Sequence, residues 1–304
     1  MRVLITGITG MIGTALSEHL KDLGYEVSGI SRSTSDARYE PRDHYLGDIL
    51  DTAFVKRVFK DFKPDVVFHL AAQAFNGESW AAEQTTYITN IQGSRNIFEA
   101  CRDYAPAARV IPACSSAEYG KTEKQPISEN TPLKPISPYG VTKACMEMMG
   151  QQFADNYDMD FVFPRLFIHV GTGHPPYTAI QNFAKQFAEQ RETISVGNVD
   201  TGRDYVDIRD GVKALSLLMI DGEAGEVYNV CSGELHSTDF LLFLFEKISG
   251  YNPTIISNKN LFRPSDEKSL LGNPQKINRI GWNAEIPIKK TLEWVYNDWR
   301  MRLC

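Results

Sequence analysis

The chain has 304 residues, 42% of them hydrophobic and 23% charged, which suits one or two domains with a large core and the composition of an ordinary globular protein. Its formal net charge of −6 supplies no long-range attraction for nucleic acid or an anionic membrane surface, so an anionic ligand has to be held by locally placed Arg, Lys and helix N-termini. Cys101, Cys114, Cys145, Cys231 and Cys304 are scattered without a CxxC pair or zinc-like His spacing, and the opening MRVLITGITG has no basic region or cleavage site; reduced thiols, no metal and a cytoplasmic protein with no membrane partner are expected.

In chain order, short β-branched or apolar runs at 3–6, 26–30, 66–70, 109–113 and 161–166 alternate with helical patterns near 11–23, 51–61, 84–104 and 138–157. That alternation predicts an α/β fold, a doubly wound parallel sheet of Rossmann type with helices on both faces. After Arg165 the alternation weakens, and Gly171, Gly173, Pro175 and Pro176 precede another helical stretch at 177–190. We read a smaller, discontinuous C-terminal α/β substrate lobe made of about 166–203 and 231–304. The main domain then comprises 1–165 and about 204–230, the latter holding a segment at 204–207, a helix from about 209 and a strand at 227–230.

At the first strand-to-helix junction stands TGITGMIG, with Gly7, Gly10 and Gly13. Glycine lets backbone approach a pyrophosphate, and the free amides of a helix N-terminus attract its charge. The second expected strand ends in Ile30-Ser31-Arg32-Ser33. Proteins specific for NAD place an Asp or Glu here to take the ribose hydroxyls. A cation flanked by two hydroxyls suits a 2′-phosphate instead, so NADP(H) is expected; the competing reading is an exposed Arg32 on a loop with Asp36 as the ribose acceptor.

Tyr139 and Lys143 in SPYGVTKACME are four apart and share a helix face, while Ser115 and Ser116 follow the strand expected at 109–113. An ammonium beside a phenol lowers its pKa from about 10, and such a phenol can give a proton to a carbonyl oxygen or take one from an alcohol. Ser115, with Ser116 as a second candidate, could hydrogen-bond that same oxygen. A YxxxK pair on an amphipathic helix is common, so the weight rests on its combination with the glycine turn and the serines.

The GxxGxxG turn and the serine, YxxxK set resemble the extended short-chain dehydrogenases/reductases over essentially the whole chain. By that resemblance Met11 and Ile12 join the glycines around the cofactor, Asp48 with Ile49 in LGDILD takes the adenine, Leu70, Ala71 and Ala72 in HLAAQ form the turn after the fourth strand, and Asn90 is a structural Asn. Tyr139 and Lys143 contact the cofactor as well as the substrate. The resemblance also puts Ser115 at the family's catalytic Ser/Thr position.

Nucleotide-sugar 4,6-dehydratases use a Thr-Asp-Glu or Thr-Ser-Glu set, which falls here on Ser115, Ser116 and Ala117. Ala117 cannot move a proton, and Glu118 is one residue out of register, so dehydration is disfavoured unless an irregular loop re-aims Glu118. The resemblance further implies that Arg203 in RDYVDIRD and Arg263 and Asp266 in RPSD, with Asn182, contact a nucleotide-sugar substrate; each alone also reads as an ordinary surface residue.

The segments FIHVGTGHPPYTAIQNFAKQFA, EVYNVCSG and FRPSDEKSLLGNPQKINRIGW most resemble GDP-mannose dehydratases and GDP-4-keto-6-deoxymannose reductases, with Ile168 in place of Asn and His174 in place of Gln. The expected reaction is reduction by NADPH of the C4 ketone of a GDP-4-keto-6-deoxy sugar to a GDP-rhamnose-type product. The alternatives are a nucleotide-sugar 4-epimerase using retained NAD and a non-catalytic NADP-sensing module. His169 and His174 read as structural or substrate-lining side chains. The helices near 84–104 and 138–157 have faces suited to a homodimer or, equally, to intramolecular packing.

Overall fold

The computed structural model describes residues 1–33, 44–262 and 267–304. Strands β1 (Arg2–Thr6) and β2 (Glu26–Ser31) flank helix α1 (Met11–Asp22), and β3 (His44–Leu46), α2 (Thr52–Phe62) and β4 (Val66–His69) follow. Helices α3 (Asn76–Ser79), α4 (Glu83–Tyr87) and α5 (Gly93–Tyr104) lead to β5 (Arg109–Pro112). Five parallel strands lie in the order β3-β2-β1-β4-β5. Strands β6 (Cys114–Ser115), β7 (Phe163–Leu166) and β11 (Val227–Val230) pair in parallel in the order β11-β7-β6, and a parallel bridge from Val110 to Phe161 joins them to β5.

Alternation along the strands divides the core between two faces. Val3, Ile5, Val66 and Phe68 pack with Leu16 and Leu20 of α1 and with Val212, Leu215 and Leu218 of α8 (Ile208–Asp221). Leu4 and Val67 face Phe59 of α2, Phe98 of α5 and Phe153 of α6 (Pro138–Tyr157). The α2 helix begins where the Asp51 carboxylate accepts the Phe54 amide at 3.0 Å, and it buries Phe54, Val55, Val58, Phe59 and Phe62 along one stripe. The α6 helix starts at Ser137, whose hydroxyl accepts from the Gly140 amide at 3.1 Å, with Pro138 at its first position.

The remaining elements are β8 (Ile168–Val170), α7 (Ala179–Ala188), β9 (Thr193–Val196), β10 (Gly202–Asp207), β12 (Leu235–Ser237), α9 (Thr238–Ser249), β13 (Thr254–Ser257), β14 (Ser269–Leu270), α10 (Gln275–Arg279) and α11 (Ile288–Leu303). Phe183 and Phe187 of α7, Leu241 and Phe245 of α9, and Leu292, Val295 and Trp299 of α11 form a separate core. Strand β10 pairs in parallel with β8 and β14 and antiparallel with β12, while β13 pairs with β9.

A doubly wound Rossmann-type sheet with a smaller C-terminal α/β lobe is therefore present as expected. Several details differ. Strand β3 and helix α3 were not anticipated, and the helix expected at 84–104 is interrupted by a π turn at Ile88–Gln92. Ile277 and Trp282, expected in the lobe, bury in the core under the main sheet, where the Trp282 indole donates to the Asp210 carbonyl at 2.9 Å. Among the described residues no helix is long and apolar enough to cross a membrane.

Candidate active site

A cleft of about 1150 Å³ runs from the β1–α1 turn to the lobe. Gly7, Gly10, Met11, Ile12, Gly13, Ser31, Arg32, Asp48, Ile49, Leu70, Ala71 and Ala72 all line it, as do Ser115, Ser116, Tyr139, Lys143, Asn182 and Arg203. Residues far apart in sequence meet there because parallel strands deliver their C-terminal ends to one edge of the sheet. Arg263 and Asp266 lie outside the described residues, and so does Asp36.

The glycine turn is built for close approach. Gly7 sits at φ +73°, its amide donates to the Ile30 carbonyl at 2.7 Å, and a Cβ on Gly7 would stand 2.9 Å from the Ala71 nitrogen. A Cβ on Gly13 would stand 2.3 Å from the Gly7 oxygen. No side chain caps α1 at Gly10, which leaves the first amides of the helix to face the cleft. Such a cradle fits a dinucleotide pyrophosphate. Asp48 accepts the Leu50 amide at 2.9 Å, and the Asn96 side chain donates to the Ile49 carbonyl at 2.9 Å, so both cleft-lining residues are fixed by backbone bonds.

At the end of β2 the two predicted hydroxyls are unequal. Ser31 is buried, donates to the Ser33 carbonyl at 2.7 Å and lies 2.6 Å from His44 Nε2, so its hydroxyl shapes the strand end; Arg32 and Ser33 are exposed at the cleft. Burial lowers the pKa of His44, which the unanticipated β3 brings to this strand end.

Tyr139 stands in the first turn of α6 and Lys143 one turn on. Ser115 and Tyr139 line the cleft together, and the serine hydroxyl is close enough to the phenol to act on its pKa. The Lys143 ammonium donates to the Ala113 carbonyl at 2.6 Å and lies 5.8 Å from the centre of the Tyr139 ring. The expected lowering of the phenol's pKa is not found. Burial pushes Tyr139 up to about 12 against the opposing influence of the Ser115 hydroxyl, and burial also lowers the pKa of Lys143.

Behind this face lies a polar chain of which sequence reasoning marked Asn90 alone. His69 bridges the hydroxyls of Thr6 (2.8 Å) and Ser94 (2.9 Å), and burial, followed by the charge of Lys143, holds its pKa at about 3. Asn90, in the π turn, accepts from the Gln73 amide at 2.7 Å and donates to the Thr142 hydroxyl at 2.9 Å, tying the β4 loop to the helix that carries Tyr139.

Glu118 does not line the cleft and is fully buried, whereas Ala117, one residue before it, does line the cleft. Cys114, Glu118 and Glu147 are the one group of potential metal ligands among the described residues. The Arg165 guanidinium meets this group, forking onto Glu147 at 2.8 and 2.5 Å and lying 3.8 Å from Glu118.

At the lobe end, Arg203 donates to the Gly202 carbonyl at 2.8 Å and lies 3.7 Å from Glu267, and Asn182 accepts from Gln186 at 2.5 Å. Phe75 meets Tyr177 at 5.3 Å and His174 at 6.2 Å between ring centres, an aromatic wall of the cleft in which sequence reasoning marked only His174. Burial holds His174 neutral, with a pKa of about 4, and His169 Nδ1 bonds to the Phe167 carbonyl at 2.9 Å; both fit the structural or lining roles expected.

Comparison with known proteins places this architecture. The chain is 27% identical to a GDP-6-deoxy-D-mannose reductase of Pseudomonas aeruginosa over 99% of its length and 98% of the relative's. It superposes on a UDP-glucose 4-epimerase of Thermus thermophilus, solved with NAD, with a TM-score of 0.91 at 27% identity over 99% of each chain. The RMD protein of Pseudomonas aeruginosa, solved with NADPH, gives 0.85 at 27% identity over 99% of each chain. Residues 4–294 match the family model described as GDP-mannose 4,6 dehydratase, so this chain belongs to that family, within the extended short-chain dehydrogenases/reductases.

Proposed function

We propose that the chain is an oxidoreductase that moves a hydride between C4 of a nucleotide-linked hexose and a nicotinamide dinucleotide. The observation that carries this reading is the meeting of Tyr139, Ser115 and Lys143 on one cleft between the glycine cradle and Arg203. A bound NAD(P) would supply or accept the hydride. Gly7, Gly10 and Gly13 would admit its pyrophosphate with Met11 and Ile12, Arg32 and the strand end its 2′ side, and Asp48, Ile49, Leu70, Ala71 and Ala72 the adenosine and its turn. The Tyr139 phenol, protonated across the neutral range, gives its proton to the oxygen on C4 as that carbon is reduced. Ser115 holds the same oxygen, with Ser116 beside it, and Lys143 keeps a positive charge below the ring as the phenolate forms. Arg203, Asn182, Arg263 and Asp266 are assigned to the nucleotide diphosphate and sugar, with GDP as the carrier. Ala117 leaves no acid for loss of water, so dehydration is not proposed.

Arg32 at the cofactor end supports NADPH and hence net reduction of a 4-keto-6-deoxy sugar, giving a GDP-rhamnose-type product. The second reading, 4-epimerisation with retained NAD, is backed by the closer superposition on the epimerase, 0.91 against 0.85. Incubation with NADPH and GDP-4-keto-6-deoxymannose, followed by absorbance and product NMR, decides between them. One NADPH consumed per alcohol formed establishes reduction. Interconversion of C4 epimers of a nucleotide sugar with no net change in nicotinamide absorbance establishes epimerisation. Tyr139→Phe is expected to lower kcat by about 100-fold or more while dinucleotide binding survives; retained turnover would refute the shared mechanism. We also assign a cytoplasmic location and a homodimer through α4, the π turn, α5 and α6, where Tyr87, Ile88 and Met148 are exposed.

A further inference from the structure

Glu118 points away from the cleft, yet it is tied to Ser115. The Ser115 amide donates to Glu118 Oε1 at 2.6 Å, and the Ser115 hydroxyl accepts the Ala117 amide at 3.2 Å. These two bonds form a reciprocal capping box around the single helical turn Ser116–Glu118. The Glu118 side chain has no exposed surface, and its Oε2 has no hydrogen-bond partner among the described residues, with Arg165 Nε 3.8 Å away. Arg165 is itself locked by Glu147, by the Tyr119 hydroxyl at 2.9 Å and by the Glu129 carbonyl at 3.0 Å. Glu147 lies one turn beyond Lys143 on α6.

We infer that Glu118 is a positioning residue: buried beside Arg165 and Glu147, its carboxyl clamps the Ser115 backbone so that the serine hydroxyl is presented to the Tyr139 phenol. This rests on the role given to Ser115 above. The geometry favours a clamp over a catalytic acid, since a fully buried carboxyl one residue from the cleft cannot reach a sugar. Burial, and then the neighbouring Glu147, raise the Glu118 pKa well above the usual carboxylate range, which favours the protonated carboxyl that Gln resembles in shape. The groups facing it are Cys114 of β6, Lys143 and Glu147 of α6, Arg165 of β7 and Tyr139 at the cleft.

The test is a double-mutant cycle between Glu118→Ala and Ser115→Ala, scored by kcat with the 4-keto sugar nucleotide and NADPH, or with the epimerase substrate if that reaction is found. Glu118→Ala is expected to lower kcat about tenfold or more, with KM values changed less than about twofold, and to add nothing in the Ser115→Ala background. Glu118→Gln should recover most of the loss. Deuterium exchange of the peptide spanning 114–119, read on the holoenzyme independently of turnover, should rise in Glu118→Ala and stay low in Glu118→Gln. If Glu118→Ala does not fold, Glu118→Met replaces it in both measurements. Equal losses of kcat with and without Ser115, a Gln variant as poor as Ala, or unchanged exchange would overturn the inference. A Ser115→Ala enzyme with full kcat would instead overturn the role of Ser115 on which it rests.

Discussion

Gly13→Ala is the sharpest probe of the cofactor cradle. The added methyl would stand 2.3 Å from the Gly7 oxygen, 2.8 Å from Ile8 Cα and 2.9 Å from the Ile8 oxygen. All three are backbone atoms, so no rotamer relieves the clash, and the β1–α1 turn has to move by about 1 Å to reach ordinary contact. Overpacking of this kind costs about 1–3 kcal/mol, while replacing a helical Gly by Ala returns about 1 kcal/mol. The net loss of stability is therefore about 0–2 kcal/mol, too small to unfold the chain. Binding should suffer more, because the displaced atoms belong to the cradle itself. Losing two charge-assisted amide contacts to the pyrophosphate, at about 1.5 kcal/mol each, weakens binding by about 100-fold. Gly24→Ala is the control: Gly24 has φ +82° with nothing within 4 Å of an added Cβ, so it should lose about 1–2 kcal/mol through backbone strain and leave binding unchanged. Calorimetric titration with NADPH and NADH, beside thermal unfolding with and without ligand, separates the two effects. Gly13→Ala binding within about threefold of the parent protein would refute the cradle.

Two further outcomes test the cofactor end and the buried chain behind it. Arg32→Ala should weaken NADPH binding by about tenfold, the worth of one charge-assisted contact, and leave NADH within about twofold; equal losses for both would move the 2′ site elsewhere. His69 is held neutral, its pKa lowered to about 3. Its contribution to stability is thus present above about pH 6.5 and is lost as pH falls from 6.5 towards 3. His69→Asn should flatten the acid limb of the stability curve by up to one proton, about 1.4 kcal/mol per pH unit between about pH 6 and 4, measured by urea unfolding; an unchanged slope would mean that His69 protonates freely in the fold.

Local pattern was enough for the parallel sheet, because strands buried on both faces must read as short apolar runs and the helices between them as single-faced stripes. It was also enough for the glycine turn, since three glycines at a strand–helix junction answer a steric demand that acts within a few residues. The pairing of Tyr139 with Lys143 follows from helical geometry alone. Even the clamp at Ser115 left a local mark, the S-x-x-E spacing of a capping box at 115–118, although its meaning depended on what lay around Glu118.

Tertiary structure decided what depends on burial and on distant neighbours. Proximity to Lys143 suggested a lowered pKa for Tyr139, yet the fold removes water from the phenol and commits the ammonium to the Ala113 carbonyl, so desolvation prevails. Ser31 looked like a ligand group, but His44 of β3 and the Ser33 carbonyl engage its hydroxyl. The Phe75, His174 and Tyr177 wall joins two loops about 100 residues apart, and Ile277 and Trp282 cross from the lobe segment into the main core. Sequence encodes such contacts only through the whole fold: spacing along the chain sets which side chains share a strand or helix face, whereas three-dimensional packing sets which of them lose water and which partner each one finds.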